Sequence, residues 1–191
     1  PEICSGHLNF KDRDAHFIFG DACTAIILEK ETGSNGSFRV LGTKLQTKFS
    51  NNIRNNFGFL NSPEDSNPHS PDKLFIQKGK SVFKEVVPMV QVHVNEHLTS
   101  LDLDINKVKR FWLHQANLSM NQLITKRLLG RDPEEHEMPI ILNEYANTSS
   151  AGSIIAFHKS NNDFSEDDIG VISSFGACLL YTSDAADESS S

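Results

Sequence analysis

The sequence predicts an α/β fold. Short apolar, β-prone runs such as Phe111–Leu113 and Ile169–Ser174 alternate with longer segments whose apolar residues recur at helical spacing. Polar motifs follow the apolar runs, the order expected where a sheet presents a ligand site at the carboxyl ends of its strands.

In chain order, residues 16–29 (HFIFGDACTAIILE) read as two buried strand segments around a Gly-Asp turn. Thr32–Ser37 is a turn, and Phe38–Lys44 a further strand. Residues 50–72 are rich in Asn, Ser and Pro but interrupted by Ile53, Phe57, Phe59 and Leu60. A loop of that length inside a compact domain suggests a lid. Lys78–Leu98 carries Phe83, Val86, Val87, Val90, Val94 and Leu98 on one helical face, with Pro88 as a candidate kink. Phe111–Leu113 is a buried strand leading into His114. Leu118–Leu129 is a helix closed by Gly130. Pro139–Leu142 is a strand, Ser149–His158 a short helix with Thr148, Ser149 and Ser150 as candidate caps, and Ile169–Ser174 a final strand.

Composition narrows the function classes. The chain has 191 residues, 38% hydrophobic and 23% charged, which is globular and sufficient for a sizeable core. No apolar run approaches the roughly 20 residues that span a bilayer, so no membrane role is expected. Cys4, Cys23 and Cys178 lie far apart without metal-ligand spacing, which suits a reducing cytoplasm. A net charge of −7 argues against nucleic acid as the partner. Yet Lys107, Lys109, Arg110, Lys126, Arg127 and Arg131 fall in one stretch without Asp or Glu, as a docking patch for an anionic partner would. The alternative is an ordinary solvated face.

Two polar segments carry the chemistry. His114-Gln115-Ala116-Asn117 follows one apolar run, and Asn147-Thr148-Ser149-Ser150-Ala151-Gly152-Ser153 comes after Ile140-Ile141-Leu142. A neutral His beside an Asn offers two hydrogen-bond donors to one developing oxyanion or enolate. A satisfied core His beside a helix cap is the plainer reading of the same residues.

Phe19-Gly20-Asp21-Ala22-Cys23-Thr24-Ala25, then HQAN, then NTSSAGS, then Ser174-Phe175-Gly176-Ala177 occur in this order. Together they resemble the β-ketoacyl-acyl-carrier-protein synthase III family, of thiolase-like fold, from about Phe17 to Ala177. Glu144-Tyr145-Ala146-Asn147 and the Asn-rich loop look like a longer-loop branch of it. The resemblance implies the C-terminal α/β half of a two-half layered fold, with its final strand missing or replaced. Residues 1–37 would end the N-terminal half, residues 38–177 would form the C-terminal domain, and residues 178–191 would be a non-native tail.

The resemblance also implies a decarboxylative Claisen condensation of acyl-CoA with malonyl-acyl-carrier protein, in fatty-acid or related acyl-chain biosynthesis. Both thioesters are substrates, and no cofactor or metal is expected. His114 and Asn147 match the pair that holds the malonyl thioester oxygen. Gly176 and Ala177 match the loop supplying an amide to the acyl oxyanion hole. Gln115, Ala116, Asn117, Leu118 and Ser119 match the segment that meets the carrier protein. Many relatives have Arg where this chain has Ser119, which shifts docking towards Lys126 and Arg127. Acyl-carrier protein, acyl-CoA and a second copy of the full-length protein are the implied partners.

The family's nucleophilic Cys precedes the Gly-Asp segment by some tens of residues, at a helix start that lowers its pKa. Cys4 lies too close to Gly20-Asp21 and no helical pattern follows it. Cys23 reads as a small buried hydrophobe within a strand. The fragment is therefore expected to lack its nucleophile and to be inactive alone. After Ala177, Cys178–Glu188 and Ser189–Ser191 resemble a translated transposase sequencing adapter.

Three other readings stand beside this one. His93-Val94-Asn95-Glu96-His97 fits the H-x-x-E-H pattern of zinc peptidases, with Glu96 as base. A polyketide-priming or acyltransferring thiolase-fold relative would share the His-Asn pair. A non-enzymatic module that binds acyl-carrier protein would keep only the docking surface.

Overall fold

The computed structural model describes residues 1–6, 8–13, 15–30, 38–55 and 74–176. Its centre is a parallel pair of strands, β3 (Val108–Leu113) and β4 (Ile169–Ser173), paired from Val108↔Ile169 to Leu113↔Ser173 with a register shift between Val108 and Arg110. A small antiparallel pair, β1 (Ile53–Asn55) and β2 (Phe75–Gln77), stands apart from it. The helices are α1 (Gly79–Ser100), α2 (Leu118–Leu129), the one-turn α3 (Leu142–Tyr145) and α4 (Ala151–Lys159). This is the α/β class that the alternating pattern predicts.

Side chains on a strand alternate between its two faces, and β3 uses both. Phe111 and Leu113 enter a core with Val87, Val90, Val94 and Leu98 of α1 and with Met120, Ile124 and Leu128 of α2. Trp112 faces the other way, into a second core with Ile141 and Ala156 of α4. Helices thus cover both faces of the strand, and each large side chain so buried contributes roughly 1.5–3 kcal/mol. The Trp112 ring meets Phe157 edge-on at 4.9 Å, and its Nε1 donates to Ser160 Oγ at 2.9 Å. Gly170 makes room for it: a Cβ there would lie 2.1 Å from Trp112 Cζ3.

The helices follow their local signals. In α2, Asn117 Oδ1 accepts from Met120 N at 2.8 Å, and Gly130 closes the helix at φ 70°. Both ends agree with the sequence reading. Helix α1 spans the expected segment, with Pro88 inside it.

Several expected strands do not form. Residues 16–29 make only isolated bridges, Glu2↔Ala22 and Phe19↔Asn147. Ile26, Ile27 and Leu28 are 57%, 90% and 78% exposed, and Cys23 is exposed rather than buried. Phe38–Lys44 is likewise outside any ladder. A strand needs a neighbour that is hydrogen-bonded along its length, and among the described residues these segments have no more than single bridges. Instead, the chain from Gly42 to Asn52 runs along α1. Lys44 Nζ meets Glu96 at 2.6 Å, and Asn52 Nδ2 donates to Glu85 at 2.6 Å. Pro139–Leu142 is not a strand either, because the Ile141 N–H is taken by the Gln115 side chain and the backbone turns into α3. Helix α4 begins at Ala151, two residues later than expected. The turn at Thr32–Ser37, most of the candidate lid and the tail from Cys178 lie outside the described residues; the start of the lid segment forms β1.

Candidate active site

His114 sits one residue beyond β3, and its N–H extends the parallel ladder to Ser173 O at 2.7 Å. The ring is 5% exposed and packs against Phe175, centroids 4.7 Å apart. Burial pushes its pKa down to about 4, and the nearby Ser149 backbone opposes this only in part. The imidazole is therefore neutral at neutral pH. Its Nδ1 is buried without a hydrogen-bond partner among the described residues.

Asn147 is placed by backbone bonds to the Gly-Asp segment. Its N–H donates to Ile18 O at 2.9 Å, and Gly20 N–H donates to Asn147 O at 3.0 Å. Gly20 must be glycine for this approach, since a Cβ would lie 2.7 Å from Tyr145 O. Ala146 (φ 57°) and Ser149 (φ 53°) both adopt left-handed backbone conformations, so the chain turns sharply on either side of Asn147. Asn147 Oδ1 accepts from Ser149 N at 3.0 Å, an Asx turn. That leaves the Nδ2 amide, which forms no hydrogen bond among the described residues.

His114 and Asn147, which come from different elements, both lie beside the Ser149 backbone. Gln115 and Gly152 make the junction tight. Gln115 is fully buried; its Nε2 donates to Leu113 O at 2.9 Å and its Oε1 accepts from Ile141 N at 3.1 Å. A Cβ on Gly152 would meet Gln115 Cβ at 3.1 Å, so α4 docks here because that residue is glycine. Chemically, the arrangement offers a neutral imidazole and a carboxamide N–H, both held by backbone contacts.

The expected docking residues divide. Leu118, Ser119, Lys126 and Arg127 are exposed on α2, Asn117 serves as its cap, and Ala116 is half-buried. Gln115 has no surface to offer a partner, because its amide clamps the interior. The basic run is not a free cationic patch either. Arg110 is buried, with Nη1 2.6 Å from Asp163; Lys109 meets Asp168 at 2.6 Å and Lys126 meets Asp132 at 2.8 Å. Arg131 meets Glu137 at 2.5 Å. Acidic residues beyond the stretch, both near (Asp132, Glu137) and distant (Asp163, Asp168), neutralise most of it. Gly176 is described and Ala177 is not.

Cys4 lies in a 3₁₀ turn, Cys4–Gly6; burial, with Glu2 and Asp21 nearby, pushes its thiol up to about 11. The zinc pattern has other partners. His93 Nε2 lies 3.1 Å from Lys44 O, and Glu96 is paired with Lys44. Among the described residues no three His, Cys, Asp or Glu cluster to hold a metal, and no helix is long and apolar enough to cross a membrane.

Sequence reasoning did not single out Ser149 as a neighbour of both His114 and Asn147, or Glu2 as a neighbour of Ser150. Glu2 accepts from the Ser150 N–H at 3.2 Å and from its hydroxyl across 148 positions, a pairing with no local signal.

The family described as 3-oxoacyl-(acyl-carrier-protein) synthase III, C terminal, matches residues 98–186, and the model described as 3-oxoacyl-(acyl-carrier-protein) synthase III matches residues 1–48. The first match runs past Ala177 into the segment expected to be non-native. A beta-ketodecanoyl-(acyl-carrier-protein) synthase of Pseudomonas aeruginosa is 60% identical over 179 residues, 93% of this chain and 51% of that protein. A beta-ketoacyl-(acyl-carrier-protein) synthase III of Ehrlichia ruminantium is 30% identical over 182 residues, 94% of this chain and 54% of that protein. The chain therefore spans about half the length of these relatives. A crystal structure of a 3-oxoacyl-(acyl-carrier-protein) synthase III superposes with a TM-score of 0.54 at 18% identity, covering 66% of this chain and 40% of the other. That likeness shows the thiolase-like fold.

Proposed function

Because this chain belongs to the 3-oxoacyl-(acyl-carrier-protein) synthase III family, we propose that it is the decarboxylating half-site of a fatty-acid condensing enzyme. The observation that carries the reading is a buried, neutral His114 beside an Asn147 whose carboxamide oxygen is held by the Ser149 N–H, leaving its Nδ2 to donate.

In this reading a malonyl thioester on acyl-carrier protein places its carbonyl oxygen against His114 and Asn147 Nδ2. The bond to the carboxylate breaks, carbon dioxide leaves, and the electron pair becomes an enolate whose oxygen the two donors hold. The enolate carbon then attacks the acyl thioester carbonyl, forming the new carbon–carbon bond and expelling the thiolate. A neutral imidazole suits this step, because it donates without taking charge from the oxyanion. Gly176 and Ala177 supply the amide side of the acyl oxyanion hole. Leu118, Ser119, Lys126 and Arg127 meet the acidic carrier protein.

The acyl-bearing cysteine lies in sequence outside this chain, so the chain alone does not turn over. The raised pKa of the buried Cys4 thiol supports that assignment. The intact protein is a homodimer, with acyl-CoA as primer donor and no resident cofactor. Residues 1–37 close its N-terminal half and residues 38–177 form its C-terminal domain. The relative at 60% identity is named for a ten-carbon keto product. Condensation adds two carbons, so the primer is an eight-carbon acyl thioester.

The test uses the full-length protein with octanoyl-CoA and malonyl-acyl-carrier protein. His114→Ala and Asn147→Ala should each lower malonyl decarboxylation about 10²–10³-fold while cysteine acylation proceeds. Normal decarboxylation in both variants would sink the assignment.

A further inference from the structure

We infer that Glu2 is a positioning residue for the His114–Asn147 pair, acting through the Ser149–Ser150 turn. The inference rests on the roles just proposed for that pair.

The turn needs an external hold. Ser149 sits at φ 53°, a conformation that costs a non-glycine residue about 1–2 kcal/mol. Ser150 is the N-cap of α4, yet its side chain makes no capping bond within its own helix. Both its N–H and its hydroxyl donate to Glu2 Oε1 instead. A carboxylate at this end also suits the partial positive charge of the helix N-terminus.

Glu2 is itself held in place. Its N–H donates to Ala22 O at 2.7 Å, and Ala22 N–H returns a bond to Glu2 O at 3.0 Å. Two residues earlier, Gly20 N–H donates to Asn147 O at 3.0 Å. Ser5 adds a second tie, its N–H donating to Asp21 Oδ1 at 2.8 Å. The hydrogen bonds close a circuit: Glu2 to Ala22, along the chain to Gly20, across to Asn147, along to Ser150 and back to Glu2. Asn147 is thereby fixed on its N-terminal side by Ile18 and Gly20, and on its C-terminal side by Glu2 through Ser150. Without Glu2 the turn keeps only its local bonds, Ala151 N–H to Thr148 O and Gly152 N–H to Ser149 O, and loses its tie to the Gly-Asp segment, so it leaves its left-handed conformation more readily. Ser149 N–H would then release Asn147 Oδ1, and the carboxamide would lose the bond that orients it towards His114. The loss is one of donor alignment, so it falls on the chemical step rather than on thioester binding.

The experiment again uses the full-length protein. Glu2→Ala should lower kcat for malonyl-thioester decarboxylation about tenfold, with KM within about twofold. Glu2→Gln keeps a carbonyl oxygen for the same two bonds and should recover most of that loss. If Glu2→Ala lacks a cooperative thermal transition, Ser150→Ala, which removes only the hydroxyl bond, should lower kcat about threefold with KM held. Wild-type kcat in a folded Glu2→Ala protein, or in Ser150→Ala where that variant stands in, overturns the inference, and so does a Glu2→Gln protein as impaired as Glu2→Ala. His114→Ala separates the two claims: if it decarboxylates normally, the functional reading fails; if it is inactive while Glu2→Ala is unimpaired, only the role of Glu2 fails.

Discussion

Gln115 Oε1 accepts the Ile141 N–H at 3.1 Å, and this buried bond joins the end of β3 to the entry of α3. The same amide donates to Leu113 O at 2.9 Å, so one side chain satisfies two backbone groups that lack a strand neighbour there. Gln115→Ala would leave the Ile141 N–H unpaired and open a cavity beside Gly152. We expect a loss of about 2–3 kcal/mol, read as a lower urea midpoint with little change in slope.

His114 makes stability depend on pH. Its pKa falls from 6.5 to about 4 on folding, so the unfolded chain binds the proton more readily between those values. The His114 contribution is complete above about pH 6.5 and is lost as pH falls towards 4. Urea titrations across that window should show wild-type protein losing stability relative to His114→Gln. The imidazole C2 proton should titrate near 4 in NMR spectra; a value near 6.5 would contradict the burial.

Gly170 should tolerate no side chain. Alanine would place Cβ 2.1 Å from the Trp112 ring, which packs between β3 and α4. Gly170→Ala should cost about 1–3 kcal/mol and change the near-ultraviolet dichroism of the only tryptophan. Gly79→Ala, at a site with nothing within 4 Å, is the matched control.

Asp163 gives a second pH signature. The Arg110 guanidinium holds its carboxyl down to about 2, against 3.8 for the free group. The stabilisation is complete above about pH 3.8 and disappears as pH falls to about 2. Asp163→Asn should match wild type at the acid end and fall below it near neutrality. Arg110→Met also releases the His136 and Ser160 carbonyls, and should cost about 2–3 kcal/mol at pH 7.

The elements legible in advance were those with local causes. Helix α2 was bounded correctly because Gly130 adopts the left-handed cap and the apolar residues before it repeat at helical spacing. Strands β3 and β4 were legible as short apolar runs. The segments at residues 16–29, 38–44 and 139–142 have strand-like sequences but form no strand, for a common reason: apolar and β-prone residues permit a strand, but only a neighbouring backbone makes one. The run of basic residues misleads similarly: Asp132 and Glu137 follow it closely, and Asp163 and Asp168 reach it only once the chain is folded.

The sequence by itself determined the α/β class, the polar motifs opening with His114 and Asn147, and the resemblance that pointed to a condensing enzyme. These are properties of residue type, order and spacing along the chain. Tertiary structure alone decided that Gln115 is an internal clamp, that Ser149 lies beside both His114 and Asn147, and that Glu2 reaches Ser150 across 148 positions. Hydrogen bonds depend on distance in space, and no pattern of neighbours in a linear chain encodes which remote carboxylate will complete a turn.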